Sequence, residues 1–507
     1  MKFNQVSKGK NQVLNYEDAP AYRLSPEWEL YTLVVTSSLS DKFYEAASDR
    51  LRRMRDLISK NDPQFVARLA IYAREKMNLR SVPLVLAVEL AKVHSGDALV
   101  SQMTERIIQR ADEITELLAY YQMANERAET KKLNRLSKQL QAGLQNAFNK
   151  FDEYQFAKYN RQTEIKLRDA LFLVHPKAKD SEQQLIFNKI VEDTLQTPYT
   201  WETELSALGQ NKFETEDAKK EAFKHKWEAL IDSGKVGYMA LLRNLRNILQ
   251  SEVLPNHINN VCATISAKEK VLQSKQLPFR FLAAYRELSG INSGYASQVM
   301  NALEDAVKAA AENIAGFNET TKVLVACDVS GSMQQPISPK SSVQNYDIGL
   351  MLGMLLKSRC KNVVSGIFGD TWKIVNLPDS GVLSNVDAFY KREGEVGYST
   401  NGYLVIKDLI EQNKVMDKIM IFTDCQLWDS SGKNTQLKDV WKKYKAIAPE
   451  AKLYLFDLAG YGHSPLDIAS DDVHLIAGWS DKIFDILQAI DNGSDALREI
   501  EKIKLNI

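Results

Sequence analysis

Val323-Leu324-Val325-Ala326-Cys327-Asp328-Val329-Ser330-Gly331-Ser332 is the stretch on which the reading of this chain turns. Its continuous apolar run, from Val323 to Cys327, has the character of a strand buried on both faces. The run ends in Asp328, where the chain must turn. Ser330 and Ser332 follow two positions apart, so both hydroxyls can aim at one point, and Gly331 lets the backbone fold tightly between them. A carboxylate with two hydroxyls is a hard oxygen cluster, suited to Mg²⁺ rather than to a soft metal.

Two more segments extend this pattern. Ile421-Phe422-Thr423-Asp424 is again a hydrophobic strand ending in a carboxylate. Gly397-Tyr398-Ser399-Thr400-Asn401-Gly402, between the other two, is a small polar loop before a helix, and Thr400 offers a further hydroxyl. Strand-like runs at 363–368, 372–376, 418–423, 452–458 and 473–477 alternate with helical stretches at 345–359, 401–413, 436–446 and 481–490. The alternation predicts an α/β, doubly wound, Rossmann-like sheet, mostly parallel and covered on both faces. Such sheets bind ligands outside the carboxyl ends of their strands. The competing reading is that Asp328 and the serines merely satisfy backbone groups at a strand–helix turn. The second and third segments weigh against it.

Before residue 320 the periodicity is different. From about 27 to 315 apolar groups recur at helical spacing, as in Phe65-Val66-Ala67-Arg68-Leu69-Ala70-Ile71-Tyr72-Ala73-Arg74. Helices are predicted near 41–59, 82–95, 99–124, 131–148, 181–195, 215–231, 236–249, 256–265, 278–288 and 295–315. Short breaks such as Asn61-Asp62-Pro63 and Asp232-Ser233-Gly234 separate them, with Asp62 as N-cap and Pro63 as first helical residue. Many helices joined by short turns suggest stacked pairs, an all-α HEAT-like repeat. The predicted organisation is multidomain: residues 1–318 helical, residues 319–507 α/β.

Bulk properties narrow the function. With 507 residues the chain exceeds one hydrophobic core. Lys+Arg and Asp+Glu both number 65, so no overall polyanion affinity follows. Local excess is clearer: residues 131–177 carry ten basic and four acidic side chains, and 235–280 carry seven and two. Such patches can hold phosphates, or can be no more than solvated helix faces. Cys262, Cys327, Cys360 and Cys425 form no CxxC pair and read as buried free thiols in a reducing compartment. No apolar stretch is long enough to span a membrane, and Met1-Lys2-Phe3-Asn4-Gln5 has no signal-peptide character, so a cytoplasmic protein is expected.

The three polar segments, in their order, resemble the metal-ion-dependent adhesion site of von Willebrand factor A domains. By that resemblance Asp328, Ser330, Ser332, Thr400 and Asp424 hold a divalent cation, Mg²⁺. An acidic group or phosphate of the partner completes its coordination. The chain departs from a common Gly-Thr-Asp pattern at Ser399-Thr400-Asn401, and Cys425-Gln426 after Asp424 brings no acid. Both lower the negative charge, so modest metal affinity is expected.

The helical half resembles TROVE domains, the helical ring of Ro autoantigens and their bacterial relatives. The segments that carry this are 65–74 with Leu79-Arg80-Ser81-Val82, Met239-Ala240-Leu241-Leu242-Arg243-Asn244-Leu245-Arg246-Asn247, and Leu277-Pro278-Phe279-Arg280-Phe281-Leu282-Ala283-Ala284-Tyr285. The resemblance implies a ring of HEAT-like hairpins, sealed by the A domain, whose positive cavity takes the single-stranded 3′ ends of misfolded RNA. The outer surface would bind a stem of a small Y RNA-like non-coding RNA. It further implies RNA quality control with an exoribonuclease partner and no covalent chemistry of the protein's own.

Arg80, Lys166, Arg168, His175, Lys177, Arg243, Arg246 and Arg280 are the RNA-contact candidates. Arg243 and Arg246 share a helix face. A histidine expected near Leu167 is replaced, which weakens Y RNA recognition relative to RNA binding in general. A monomer is favoured. The alternative is a metal-dependent protein-adhesion scaffold; a hydrolase is disfavoured, since no histidine or acid is placed as a general base beside Asp328.

Overall fold

The computed structural model describes residues 12–36, 46–125, 136–160, 164–310, 320–337, 341–378, 381–433, 435–478 and 482–505. The predicted helical residues 41–45, 131–135 and 311–315 lie outside the described residues. The chain divides into two compact units: residues 55–261 with 500–507, and residues 1–54 with 262–499. The change of periodicity near 320 thus marks a change of secondary structure. The unit that carries the large sheet also takes in the N-terminal segment and the helices from Cys262 onward.

The first unit is helical. Asp62 caps Pro63–Glu75 by accepting from Gln64 N at 2.7 Å and Phe65 N at 3.3 Å, with Pro63 in the first turn. The helices form stacked pairs. Pro63–Glu75 packs on Leu99–Ile107, which packs on Lys138–Phe148, making one layer. Ser81–Val93, Ala111–Ala124 and Leu167–Val174 make the second. Each helix buries an apolar stripe, and alternate helices meet, as a HEAT-like repeat requires.

The stretch predicted as one helix over 99–124 is two. Ile108 is extended, and Glu113 Oε2 accepts from Gln109 N (2.8 Å) and Arg110 N (3.1 Å), closing the second helix's N-terminus. Arg110 occupies the N-cap, where no Ser, Thr, Asp or Asn advertises a start. Glu113 is fully buried and its other oxygen takes Arg74 Nη2 at 2.8 Å.

The second unit holds a small sheet and a large one. A hairpin of β1 (Gln12–Leu14) and β2 (Pro20–Arg23) pairs with the short β8 (His463–Ser464). Both hairpin strands were unforeseen; they are three and four residues long and show no apolar alternation. The large sheet contains β3 (Lys322–Asp328), β4 (Asn362–Phe368), β5 (Trp372–Ile374), β6 (Lys418–Thr423), β7 (Lys452–Asp457) and β9 (Val473–Ala477), in spatial order β5-β4-β3-β6-β7-β9. All neighbours are parallel except β4 and β5. The expected doubly wound architecture is therefore present. From β3 the chain winds outward to β4 and β5, then returns to β6 on β3's other side.

That reversal leaves a crevice at the carboxyl ends of β3 and β6, where open sheets place their ligands. β3 and β6 are buried on both faces almost throughout. The helix Asn345–Arg359 lies unusually close to the sheet, and glycine permits it: a Cβ on Gly353 would meet Val325 Cγ1 at 2.8 Å. All four cysteines are buried free thiols. Among the described residues no helix is long and apolar enough to cross a membrane.

Candidate functional site

β3 delivers Asp328 and β6 delivers Asp424 to the crevice where the winding reverses, each about 1% exposed. Asp328 Oδ1 accepts from Ser330 N at 2.9 Å, which folds the turn back on its own carboxylate. Its other oxygen accepts from Thr423 Oγ1 at 2.6 Å. The Ser330 and Ser332 hydroxyls lie 3.3 Å apart, as their spacing requires for aiming at one point. The polar loop joins them: Gly331 N donates to Tyr398 O at 3.0 Å. Asp370, just beyond β4, holds that loop by accepting from Ser399 N at 2.9 Å.

Thr400 is buried in the same loop, and its hydroxyl donates to the Gln426 carbonyl at 3.0 Å. The oxygen's lone pairs are not consumed by that bond. Asp424 Oδ1 accepts from Gln426 N at 3.0 Å, whereas Asp424 Oδ2 is buried with no hydrogen-bond partner.

Burial dominates the electrostatics. It pushes the Asp424 carboxyl up to about 7, helped by the charge of Asp328 and opposed by the Ser332 hydroxyl and the Gln426 N–H. Burial likewise raises Asp328 to about 6, against hydrogen bonds from Ser330 and Thr423. Asp457, at the end of neighbouring β7, is also buried and raised. A group of buried carboxylates this close is costly unless a proton or a cation neutralises it.

The donors available are oxygens only: Asp328, Ser330, Ser332, Thr400 and Asp424. The orphaned Asp424 oxygen and the two adjacent hydroxyls fit a hard divalent cation. Among the described residues no three His, Cys, Asp or Glu side chains cluster as a metal site. This donor set has two carboxylates, with hydroxyls making up the rest.

Three contributors were invisible in the sequence pattern. Thr423 directs its hydroxyl at Asp328. Gln426 is a hub: besides its bonds to Asp424 and Thr400, its Oε1 accepts from Tyr16 N at 2.9 Å. Asn15 Nδ2 donates to Leu427 O at 3.0 Å, so the N-terminal hairpin buttresses the loop after β6. Asp370 had one available signal, a carboxylate directly past a strand's carboxyl end.

The basic candidates fall into three situations. Lys166, Arg168, His175 and Lys177 are all exposed, on Leu167–Val174 and its flanks, with Arg168 5.8 Å from the ring of the exposed Phe172. Arg243 and Arg246 are exposed on Tyr238–Gln250, whose other face buries Leu241, Leu242, Leu245 and Ile248. Arg280 is exposed at the start of Pro278–Ser289, in the other compact unit. Arg80 differs: it lies 3.3 Å from Asp112, 3.3 Å from Glu113 and 3.5 Å from Glu116. Those carboxylates give it a structural task of its own.

A stack of paired helices on one chain with a doubly wound sheet, bearing an oxygen-donor cluster where the winding reverses, defines the class. Comparison with known proteins then gives the family. The TROVE domain profile matches residues 36–226 and 194–301, together more than half of the chain, and the chain belongs to that family. Telomerase protein component 1 of Rattus norvegicus is 24% identical over 346 residues, covering 52% of this chain and 13% of that protein. The Mus musculus counterpart matches to the same extent. This chain thus spans only a small part of those relatives. The crystal structure of the Deinococcus radiodurans RO (RSR) protein superposes with a TM-score of 0.58 at 17% identity, covering 92% of this chain and all of that one. At that identity the likeness is one of fold.

Proposed function

We propose that this protein is a non-catalytic RNA-binding protein of the Ro type. The observation that carries the reading is the setting of Arg243 and Arg246. They lie in the TROVE-matched region and stand exposed on a helix whose opposite face is core. Exposed guanidinium groups give salt-dependent affinity for phosphates without reading sequence. Lys166, Arg168, His175 and Lys177 supply a second exposed basic surface in the same unit.

In this reading one surface takes the single-stranded 3′ end of misfolded RNA and the other a stem of a small Y RNA-like RNA. An exoribonuclease acts on the presented end, in the cytoplasm. The A-type domain holds Mg²⁺ through Asp328, Ser330, Ser332, Thr400 and Asp424. The cation supplies a Lewis-acidic contact for a partner's carboxylate or phosphate, while the protein's own residues neutralise and position it.

The test is binding of structured RNA with and without a 3′ single-stranded tail, across a salt series, by the wild type and Arg243→Glu. Preference for the tailed RNA, steep salt dependence and loss in the variant are expected. Equal affinity for blunt and tailed RNA would remove the 3′-end reading.

The oxygen cluster around Asp328 favours a second reading, a metal-dependent protein-adhesion scaffold. It predicts a protein partner whose binding is lost with EDTA and in Asp328→Ala, and no RNA co-purifying with the native protein.

A further inference from the structure

The helices Trp201–Gly209, Glu216–Asp232 and Tyr238–Gln250, with the turn after the last, line a cavity of about 470 Å³. Small-molecule sites run to roughly 300–1,000 Å³, so one nucleotide-sized guest fits here and a duplex does not. Its apolar lining includes Phe223 and Trp227. Trp227 is 2% exposed and stacks on Trp201, with centroids 6.4 Å apart and planes 18° apart. Trp227 lines the cavity with Trp201 stacked on it, while Phe223 is only half-buried.

The cavity is also lined by Asn247 and Gln250. Asn247 Nδ2 donates to Asn244 Oδ1 at 2.9 Å, and a primary amide keeps a second N–H and its carbonyl oxygen for a base edge. Three lysines of the second helix contribute. Lys219 and Lys224 lie 3.6 and 3.5 Å from Glu216 and Glu221 of their own helix. Lys220 is exposed and has no carboxylate partner among the described residues.

We propose that this cavity is a nucleotide subsite for single-stranded RNA: one base stacks on Phe223, the Asn247 and Gln250 amides meet its edge, and Lys220 takes the adjoining phosphate. The inference rests on the RNA-binding reading and deepens it. Arg243, Asn247 and Gln250 are spaced i, i+4 and i+7, so they share a face of Tyr238–Gln250. Arg243 is then ~10 Å along the helix axis from Gln250, and a strand engaged by the arginine can run into the cavity.

Lys219, Lys220 and Lys224 are balanced in the lining by Glu216, Glu221 and Glu252. The site is therefore no general anion trap, and stacking supplies most of its affinity. This separates its signature from that of Arg243. Losing an aromatic platform weakens binding without changing the salt slope, whereas losing a phosphate contact lowers the slope.

The experiment measures oligouridylate and oligoadenylate binding to the full chain by fluorescence anisotropy over a salt series. Phe223→Ala should weaken binding roughly tenfold at unchanged salt slope, and Phe223→Tyr should restore it. Lys220→Ala, on the exposed surface, should lower the slope by roughly 0.7. RNA carrying 4-thiouridine should crosslink to peptides within 216–252. Wild-type binding by Phe223→Ala and Lys220→Ala, with crosslinks elsewhere and Arg243→Glu still impaired, overturns the subsite and leaves the RNA reading standing. Failure of the wild type to bind any single strand overturns both.

Discussion

Arg286 grips Asp347 with both terminal nitrogens, at 2.7 and 2.8 Å, and the carboxylate it holds is completely buried. Arg286 lies on Pro278–Ser289, within the TROVE-matched region; Asp347 opens the helix Asn345–Arg359, which follows the Asp328 turn and lies against β3. Asp347 also accepts from Gln344 N at 2.8 Å, and Arg286 stands 4.8 Å from the Tyr390 ring. Glu304 adds a second tie, accepting from Val382, Leu383 and Ser384 N–H groups at the start of Leu383–Tyr390. These bonds explain why the helices after Cys262 belong to the same compact unit as the sheet.

Removing Arg286 strands a buried charge. Arg286→Ala should lower stability by about 3 kcal/mol, and Asp347→Asn added to it should recover part of the loss. Urea denaturation of the two single variants and the double variant measures this. An additive double variant would mean the pair is not coupled.

The large sheet was legible because its strands are continuous apolar runs, the mark of strands buried on both faces. The runs at 418–423 and 473–477 coincide with β6 and β9. The D-x-S-x-S turn was legible because its spacing is local. What escaped is set by long-range contacts. The β1–β2 hairpin matters through Asn15 and Tyr16 bonding to residues more than 400 positions away, which no periodicity reveals. The break between Ile107 and Ala111 escaped because a buried Glu113, rather than a polar N-cap residue, ends the run. Charge alone could not tell Arg80 from Arg243; only the three carboxylates around the former do so.

The buried Asp328–Asp424 pair predicts that stability without metal depends on pH. Both carboxyls are raised in the folded state by burial, to about 6 and about 7. The folded state thus favours their protonated forms. The stability they contribute is complete below the ordinary carboxylate range and is lost as pH rises through about 7. A cation bound there would replace the proton, so Mg²⁺ should raise the melting temperature more at pH 8 than at pH 5. Asp424→Asn should stabilise the EDTA-treated protein at pH 8 and abolish the Mg²⁺ effect. Melting curves with Mg²⁺ or EDTA at both pH values decide it; an Mg²⁺ effect retained in Asp424→Asn would exclude this residue as a ligand.

Gly353 tests how tightly the helix over the switch point is packed. A Cβ there would sit 2.8 Å from Val325 Cγ1 and 3.2 Å from Cys327 Sγ. Both neighbours are buried side chains of β3, so they yield only by repacking the core or by shifting the strand that carries Asp328. Gly353→Ala should cost about 1–3 kcal/mol despite alanine's better helix propensity. Weakened Mg²⁺-dependent stabilisation should accompany it. A stabilised variant would show that the helix stands further from the sheet.

The exposed cations and Arg80 should separate in one experiment. Arg168 and Arg243 are exposed in the unit that carries the paired helical layers, so replacing either by Glu opens no core and, on the proposed RNA-binding reading, would remove a phosphate contact. Each should weaken RNA binding about equally across sequences and reduce the salt slope by about 1, at unchanged melting temperature. Arg80→Ala should do the reverse. Its side chain is 40% exposed, so solvent screens its ion pairs and the stability loss should stay near or below about 1 kcal/mol. The loss is still measurable, because among the described residues buried Glu113 would then keep a single ion pair, with Arg74. If Arg80→Ala instead lowered the salt slope with no change in melting temperature, its carboxylates would have to be released when RNA binds, and Arg80 would join the phosphate-binding set.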